Sequence, residues 1–139
     1  MERSIKNFMT ETPMTIGEDT SLEKAKAMML DNDYHHLPVL SGGELTGIIS
    51  HRDISFTEAM TQDRPDFCVG DVMTLDPYIV QPTEDITNVV KTMLKKNITS
   101  AIVAATNSTP WGIFTMTDAL QLLVKFFDSE SVREKVASL

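Results

Sequence analysis

The chain carries the same segment twice, and this limits its fold more than any other feature. A shift of 64 residues lays Met9-Thr10 on Met73-Thr74, Pro13 on Pro77, Met29-Leu30 on Met93-Leu94 and Val39 on Val103. Beyond Ser41-Gly42-Gly43-Glu44 the shift becomes 65, pairing Gly47-Ile48 with Gly112-Ile113 and Asp53 with Asp118. The added residue falls in a turn, where Asn107-Ser108-Thr109-Pro110 replaces that stretch, and turns tolerate insertions. Each copy is therefore one supersecondary unit that needs the other to complete a core.

Both copies parse alike. A short amphipathic lead-in, Ile5 to Met9 or Val69 to Met73, is broken by Pro13 or Pro77. A short strand is expected at about Met14 to Ile16 and Tyr78 to Val80. A helix follows, capped at Thr20 or Ser21 in copy one and at Thr83 in copy two. Its apolar positions (Leu22, Ala25, Met28, Met29; Ile86, Val89, Val90, Met93, Leu94) recur at three and four residues, one buried stripe. Then comes a strand pair, Leu37 to Leu40 with Leu45 to Ser50, and Ala101 to Ala105 with Trp111 to Thr115. Trp111 is placed at the hairpin edge. A second helix opens at Ser50 or Thr115.

The predicted fold class is α/β: two β-α-β-β-α repeats, 1–64 and 65–127, related by a pseudo-two-fold axis and packed through their small mixed sheets. A single copy, with a three-stranded sheet, would leave one face apolar. The polar stretch Thr61 to Asp66 marks the join. Residues 128–139, with a cap signal at Asp128 or Ser129 and Val132 and Val136 four apart, predict a short amphipathic helix. Its partner lies in this chain or in another.

Composition narrows the function. A formal charge of −8 over 139 residues argues against a general nucleic-acid or anionic-membrane surface, though not against a small anionic ligand held locally. No apolar run approaches the roughly 20 residues that span a bilayer, and the start lacks a secretory signal, so a cytoplasmic protein is expected. The single cysteine, Cys68, forms no internal disulfide and reads as a small buried hydrophobe. The nine methionines lie on helical stripes and read as core filling. His35, His36 and His51 invite a metal reading, but neighbours in a strand point to opposite faces and no Cys or carboxylate set completes a site, so no metal is expected.

With the duplication, the His-Leu-Pro-Val strand, the Gly-Ile-Ile-Ser-x-x-Asp turn and the lead-in ending Met-Thr, the chain resembles a tandem pair of cystathionine-β-synthase (CBS) domains over about residues 5–125. The resemblance implies a stand-alone Bateman module, with clefts between the repeats that bind adenine nucleotides or related adenosyl ligands. It also implies pairing of modules into a homodimer.

The Ser/Thr-x-x-Asp turn has two physical uses, which are compatible. Ser50 or Thr115 can satisfy an amide of the first helical turn while Asp53 or Asp118 complements the positive helix end. Equally, that helix start can hold a phosphate while the acceptor-only carboxylate takes hydrogen bonds from a ribose diol. The resemblance carries the ribose carboxylate to Asp53 and Asp118 and the hydroxyl to Ser50 and Thr115. Thr117 repeats the family's second hydroxyl, where copy one has Arg52. The purine wall falls to Ile16, His36, Leu37 and Pro38 in copy one and to Tyr78, Val80, Thr99 and Ser100 in copy two. Of the two sites, that of Asp118 is expected to be the better binder.

The expected function is a regulatory or sensory module for AMP, ADP, ATP or a related adenosyl ligand that reports occupancy to an unidentified effector protein. It requires no cofactor. The alternative is a ligand-free dimerisation and interaction module. Catalysis is not expected. An aspartate at 53 superficially suggests a phospho-accepting receiver domain, but that chemistry needs the aspartate at a parallel strand's end with an acidic pair for Mg²⁺, and Asp53 opens a helix. No Ser-His-Asp or Cys-His arrangement is apparent.

Overall fold

The computed structural model describes residues 2–61 and 66–129. In chain order the elements are a 3-10 turn (Ile5–Asn7), β1 (Thr10–Glu11), β2 (Ile16–Gly17), α1 (Leu22–Asn32), β3 (His36–Ser41), β4 (Glu44–Ser50), α2 (His51–Met60) and α3 (Val69–Val72). They continue with β5 (Thr74–Leu75), β6 (Ile79–Val80), α4 (Ile86–Lys96), β7 (Ser100–Val103), β8 (Gly112–Thr115) and α5 (Met116–Phe127). The expected helix over 128–139 lies outside the described residues except for Asp128 and Ser129, as do positions 62–65 of the join.

Two compact units form: a central one, Thr12–Tyr78, and a terminal one made of Met1–Glu11 with Ile79–Leu139. Each contains one four-stranded mixed sheet, in the orders β2-β3-β4-β5 and β1-β8-β7-β6. In the central unit β2 runs parallel to β3 with Ile16 opposite Val39, β3 and β4 form the hairpin, and β5 joins β4 antiparallel with Leu75 opposite Gly47. The terminal unit repeats this: Ile79 opposite Ile102 in parallel, the β7–β8 hairpin, and Glu11 of β1 opposite Gly112.

The fourth strand is what the sequence pattern left out. It comes in each case from the lead-in of the other copy, so a compact unit in space and a repeat in sequence are different segments. Physically, β4 and β8 would otherwise present an open row of backbone donors and acceptors, and a covered edge removes that liability. The lead-in can lie so close because the strand residue beneath it is glycine. A Cβ on Gly47 would lie 2.7 Å from Met73 Sδ and 2.8 Å from the Thr74 carbonyl oxygen; one on Gly112, 2.5 Å from Met9 Sδ and 2.7 Å from the Thr10 carbonyl oxygen. The repeated Met-Thr and the repeated Gly-Ile are thus two halves of one contact. Each lead-in then turns through a positive-φ residue directly before its proline, Thr12 (φ 42°) and Asp76 (φ 52°), a rare conformation for a β-branched threonine.

Further bonds seat the exchanged segments. The Ile5 amide donates to the Glu84 carbonyl and the Ile86 amide to the Arg3 carbonyl, both at 2.8 Å, and Arg3 pairs with Asp85 at 3.2 Å. In the central unit the amides of Val69 and Gly70 donate to the carbonyls of Thr20 (2.8 Å) and Glu18 (2.9 Å). Ser21 caps α1, as expected, by accepting from the Lys24 amide. The cap of α4 is Asp85, accepting from the Thr87 amide at 2.7 Å, rather than Thr83. Burial works against the Asp85 charge, but the Thr87 amide and the Arg3 guanidinium outweigh it and hold the carboxyl below its ordinary value.

The central core gathers Ile16, Leu22, Ala25, Met29, Leu37, Val39, Ile49, Ile54 and Val69. The terminal unit buries Ile5, Val80, Val89, Met93, Ala101, Ile102, Val103, Ile113 and Phe114. Methionines do more than fill cores: Met29 and Met93 are buried, Met9 and Met73 pack over the glycines, and Met60 and Met116 are 69% and 52% exposed.

Gly112→Ala should lower unfolding free energy in urea by about 1–3 kcal/mol, the usual cost of overpacking. Adding Met9→Ala should restore only part of it, because the Thr10 carbonyl still blocks the new methyl. Full recovery would show that the sulfur alone sets the limit.

Candidate functional site

Both Ser/Thr-x-x-Asp turns form capping boxes. At α2 the Ser50 amide donates to Asp53 Oδ2 (2.9 Å) and the Asp53 amide to Ser50 Oγ (3.1 Å). At α5 the Thr115 amide donates to Asp118 Oδ2 (2.8 Å), the Asp118 amide to Thr115 Oγ1 (3.3 Å), and the Thr115 hydroxyl back to Oδ2 (3.1 Å). All four side chains are half-buried, while Arg52 and Thr117 are exposed. Capping uses one carboxylate oxygen, and a carboxylate offers about four acceptor positions on two oxygens, so Asp53 and Asp118 keep capacity for a diol.

The backbone at these helix starts is less available. The first helical amide of each is committed to the residue just ahead of β3 or β7: His51 donates to the His35 carbonyl at 2.8 Å and Met116 to the Thr99 carbonyl at 2.9 Å. The third is committed to the cap hydroxyl. What remains in the first turn is chiefly the second amide, of Arg52 or Thr117. An anion here would depend on side chains more than on the amide array that the sequence suggested.

The other predicted residues divide between the units. Ile16, His36, Leu37 and Pro38 lie with Ser50, Arg52 and Asp53 in the central unit, where His36 is opposite Ser50 in the hairpin. Val80, Thr99 and Ser100 lie with Thr115, Thr117 and Asp118 in the terminal unit, where Ser100 is opposite Thr115. Tyr78 is the last residue of the central unit. Ile16, Leu37, Pro38 and Val80 are buried, so their side chains serve packing. Trp111 is half-buried immediately before β8.

The histidines gather without a ligand set. His35 and His51 meet edge to face, centroids 6.2 Å apart, and among the described residues no group of three or more His, Cys, Asp or Glu is placed to hold a metal ion. Cys68 is half-buried and donates to Asp71 Oδ2 at 3.3 Å. That bond, then burial, then the charges of Asp71 and Asp19 push the thiol up, which disfavours the nucleophilic thiolate. Among the described residues no helix is long and apolar enough to cross a membrane.

Thr115→Ala should cost about 1 kcal/mol of stability through the lost cap alone, and Thr115→Ser almost nothing. Equal losses in thermal melts would mean that the methyl, not the hydroxyl, matters.

Comparison with known proteins agrees with this architecture. The CBS domain model matches residues 5–57 and again 69–125. Homoserine O-acetyltransferase of Methanocorpusculum labreanum is 28% identical over 106 residues, 76% of this chain and 21% of that protein. The chain thus spans about a fifth of the length of that relative. The CBS domain pair of protein MJ0100, solved with 5-methylthioadenosine and S-adenosyl-L-methionine, superposes with a TM-score of 0.77 at 24% identity, covering 88% of this chain and 96% of that one. CBSX2 in complex with AMP gives 0.70 at 19% identity, covering 88% and 97%. Two matched repeats over most of the sequence, folded as in solved CBS pairs, show that this chain belongs to the CBS domain family.

Proposed function

We propose that this CBS pair is a regulatory module that takes an adenine nucleotide or a related adenosyl ligand at the Ser50–Asp53 and Thr115–Asp118 turns and passes occupancy on to an effector protein in the cytoplasm. One observation carries the reading: both turns present a half-buried hydroxyl and a carboxylate in the same geometry, fixed by capping yet with acceptor capacity to spare. The adenosyl ligands found with MJ0100 and CBSX2 support the ligand class. An enzyme whose sequence includes a stretch similar to this pair as about a fifth of its length supports a part that regulates rather than reacts.

Calorimetry with AMP, ADP, ATP, 5-methylthioadenosine and S-adenosyl-L-methionine should show saturable binding of at least one. Asp118→Asn should weaken that ligand roughly tenfold or more, the worth of hydrogen bonds to a charged group. The 2′-deoxy form of the ligand should bind worse than the parent in the natural protein and lose that disadvantage in Asp118→Asn, since a removed partner cannot be missed twice. No binding across the panel, or a deoxy penalty that survives the substitution, defeats the proposal.

A second copy of the chain belongs to the same proposal. None of the 12 residues of α5 is buried, and Met116, Leu120, Leu123, Val124, Phe126 and Phe127 are each more than half exposed, more contiguous apolar surface than a soluble helix usually leaves open. Sedimentation should give a dimer, and Leu120→Lys with Leu123→Lys should convert it to a monomer that still melts cooperatively. A natural protein that sediments as a monomer counts against this part. Dimerisation without binding of any panel member would favour the interaction-module reading instead.

A further inference from the structure

The two turns share a backbone but not a charge. All three histidines of the chain, His35, His36 and His51, stand at the start of β3 or of α2, and Arg52 is the next residue. The His51 amide to His35 carbonyl bond draws the two imidazoles edge to face at an interplanar angle of 80°. The equivalent positions of the terminal unit are Thr99, Ser100, Met116 and Thr117, with the same backbone bond from Met116 to Thr99 and no cationic or titratable side chain. In a chain of net charge −8 that has only 12 lysines and arginines, this concentration at one turn of a duplicated pair is a difference the fold does not require. Arg52 also borders a cavity of about 430 Å³, shared with Asp53, Ser55, Phe56, Thr57 and Val72, where a charged rim adjoins apolar side chains.

We propose that the Ser50–Asp53 turn selects phosphorylated adenosyl ligands through Arg52, His51 and His35, while the Thr115–Asp118 turn takes the adenosyl group without regard to phosphate. This rests on the nucleotide reading above. With the first and third helical amides of each turn already committed, side chains must supply the donors for a phosphate. A guanidinium fork and imidazole N–H groups match phosphate oxygens, whereas Thr99, Met116 and Thr117 offer two neutral hydroxyls and no cation.

The test is calorimetry with two probes, AMP and 5-methylthioadenosine, which share the adenosyl group and differ in the phosphate. It compares the natural protein with Arg52→Thr and with Arg52→Thr/His51→Met, which gives the two middle positions of the first turn the residues of the second. The expected result is a loss of about tenfold or more in the tighter AMP event, since hydrogen bonds to charged groups are at stake, with 5-methylthioadenosine unchanged. Arg52 is exposed, so the single variant keeps the test valid if the double variant melts early. AMP binding unchanged in both variants, or an equal loss for both probes, overturns the selectivity while leaving the nucleotide reading standing. Failure of the natural protein to bind either probe overturns the selectivity, and failure across the full panel of five ligands overturns the nucleotide reading as well.

Discussion

Everything in this fold depends on a backbone passing within van der Waals contact of a strand that has no side chain at that point. Gly47 and Gly112 let the lead-in of the other copy lie against the edges of β4 and β8, where any Cβ would meet a methionine sulfur and a threonine carbonyl. That contact closes both sheets. It also fixes the capped turns, because Ser50 and Thr115 end the very strands that the lead-ins clamp. A shift of the clamped strand would move the cap hydroxyl and carboxylate together.

The capping box makes one set of atoms serve two demands. Asp53 and Asp118 are held in a single orientation by the amides of Ser50 and Thr115, and a ligand diol would find that orientation already set, which lowers the entropy cost of binding. A carboxylate free to rotate would have to be ordered at the moment of contact. The same economy explains why the cap alone does not reveal a site: a turn that only starts a helix has the same hydrogen bonds.

Much of this was legible from the residues. The duplication predicts two copies of one unit, the three-and-four spacing locates α1 and α4, and Ser50 and Thr115 stand out as caps from residue type and spacing. The exchange of lead-ins was not legible, because β1 and β5 are two residues long and carry no period-two pattern to announce a strand. A signal was present nonetheless: Met-Thr and Gly-Ile recur together, as residues in contact must. Thr83 and Asp85 are both residue types that cap well, and the Arg3 guanidinium, 82 residues away in sequence, stands beside Asp85, which the local pattern does not show. The meeting of His35 with His51 depends on a backbone bond between a strand's approach and a helix start, which spacing in sequence does not encode.

The exchange also orders events during synthesis. The central unit is continuous from Thr12 to Tyr78 and can complete itself as soon as that length has left the ribosome. The terminal unit cannot: Arg3 waits for Asp85, 82 residues later, a delay of several seconds at about 5–20 residues per second. Only until Met73-Thr74 emerges does the Gly47 edge stand uncovered with a first lead-in that resembles the second already made. Because both lead-ins carry Met-Thr, the chain presents its first lead-in before the one that covers Gly47 in the finished fold.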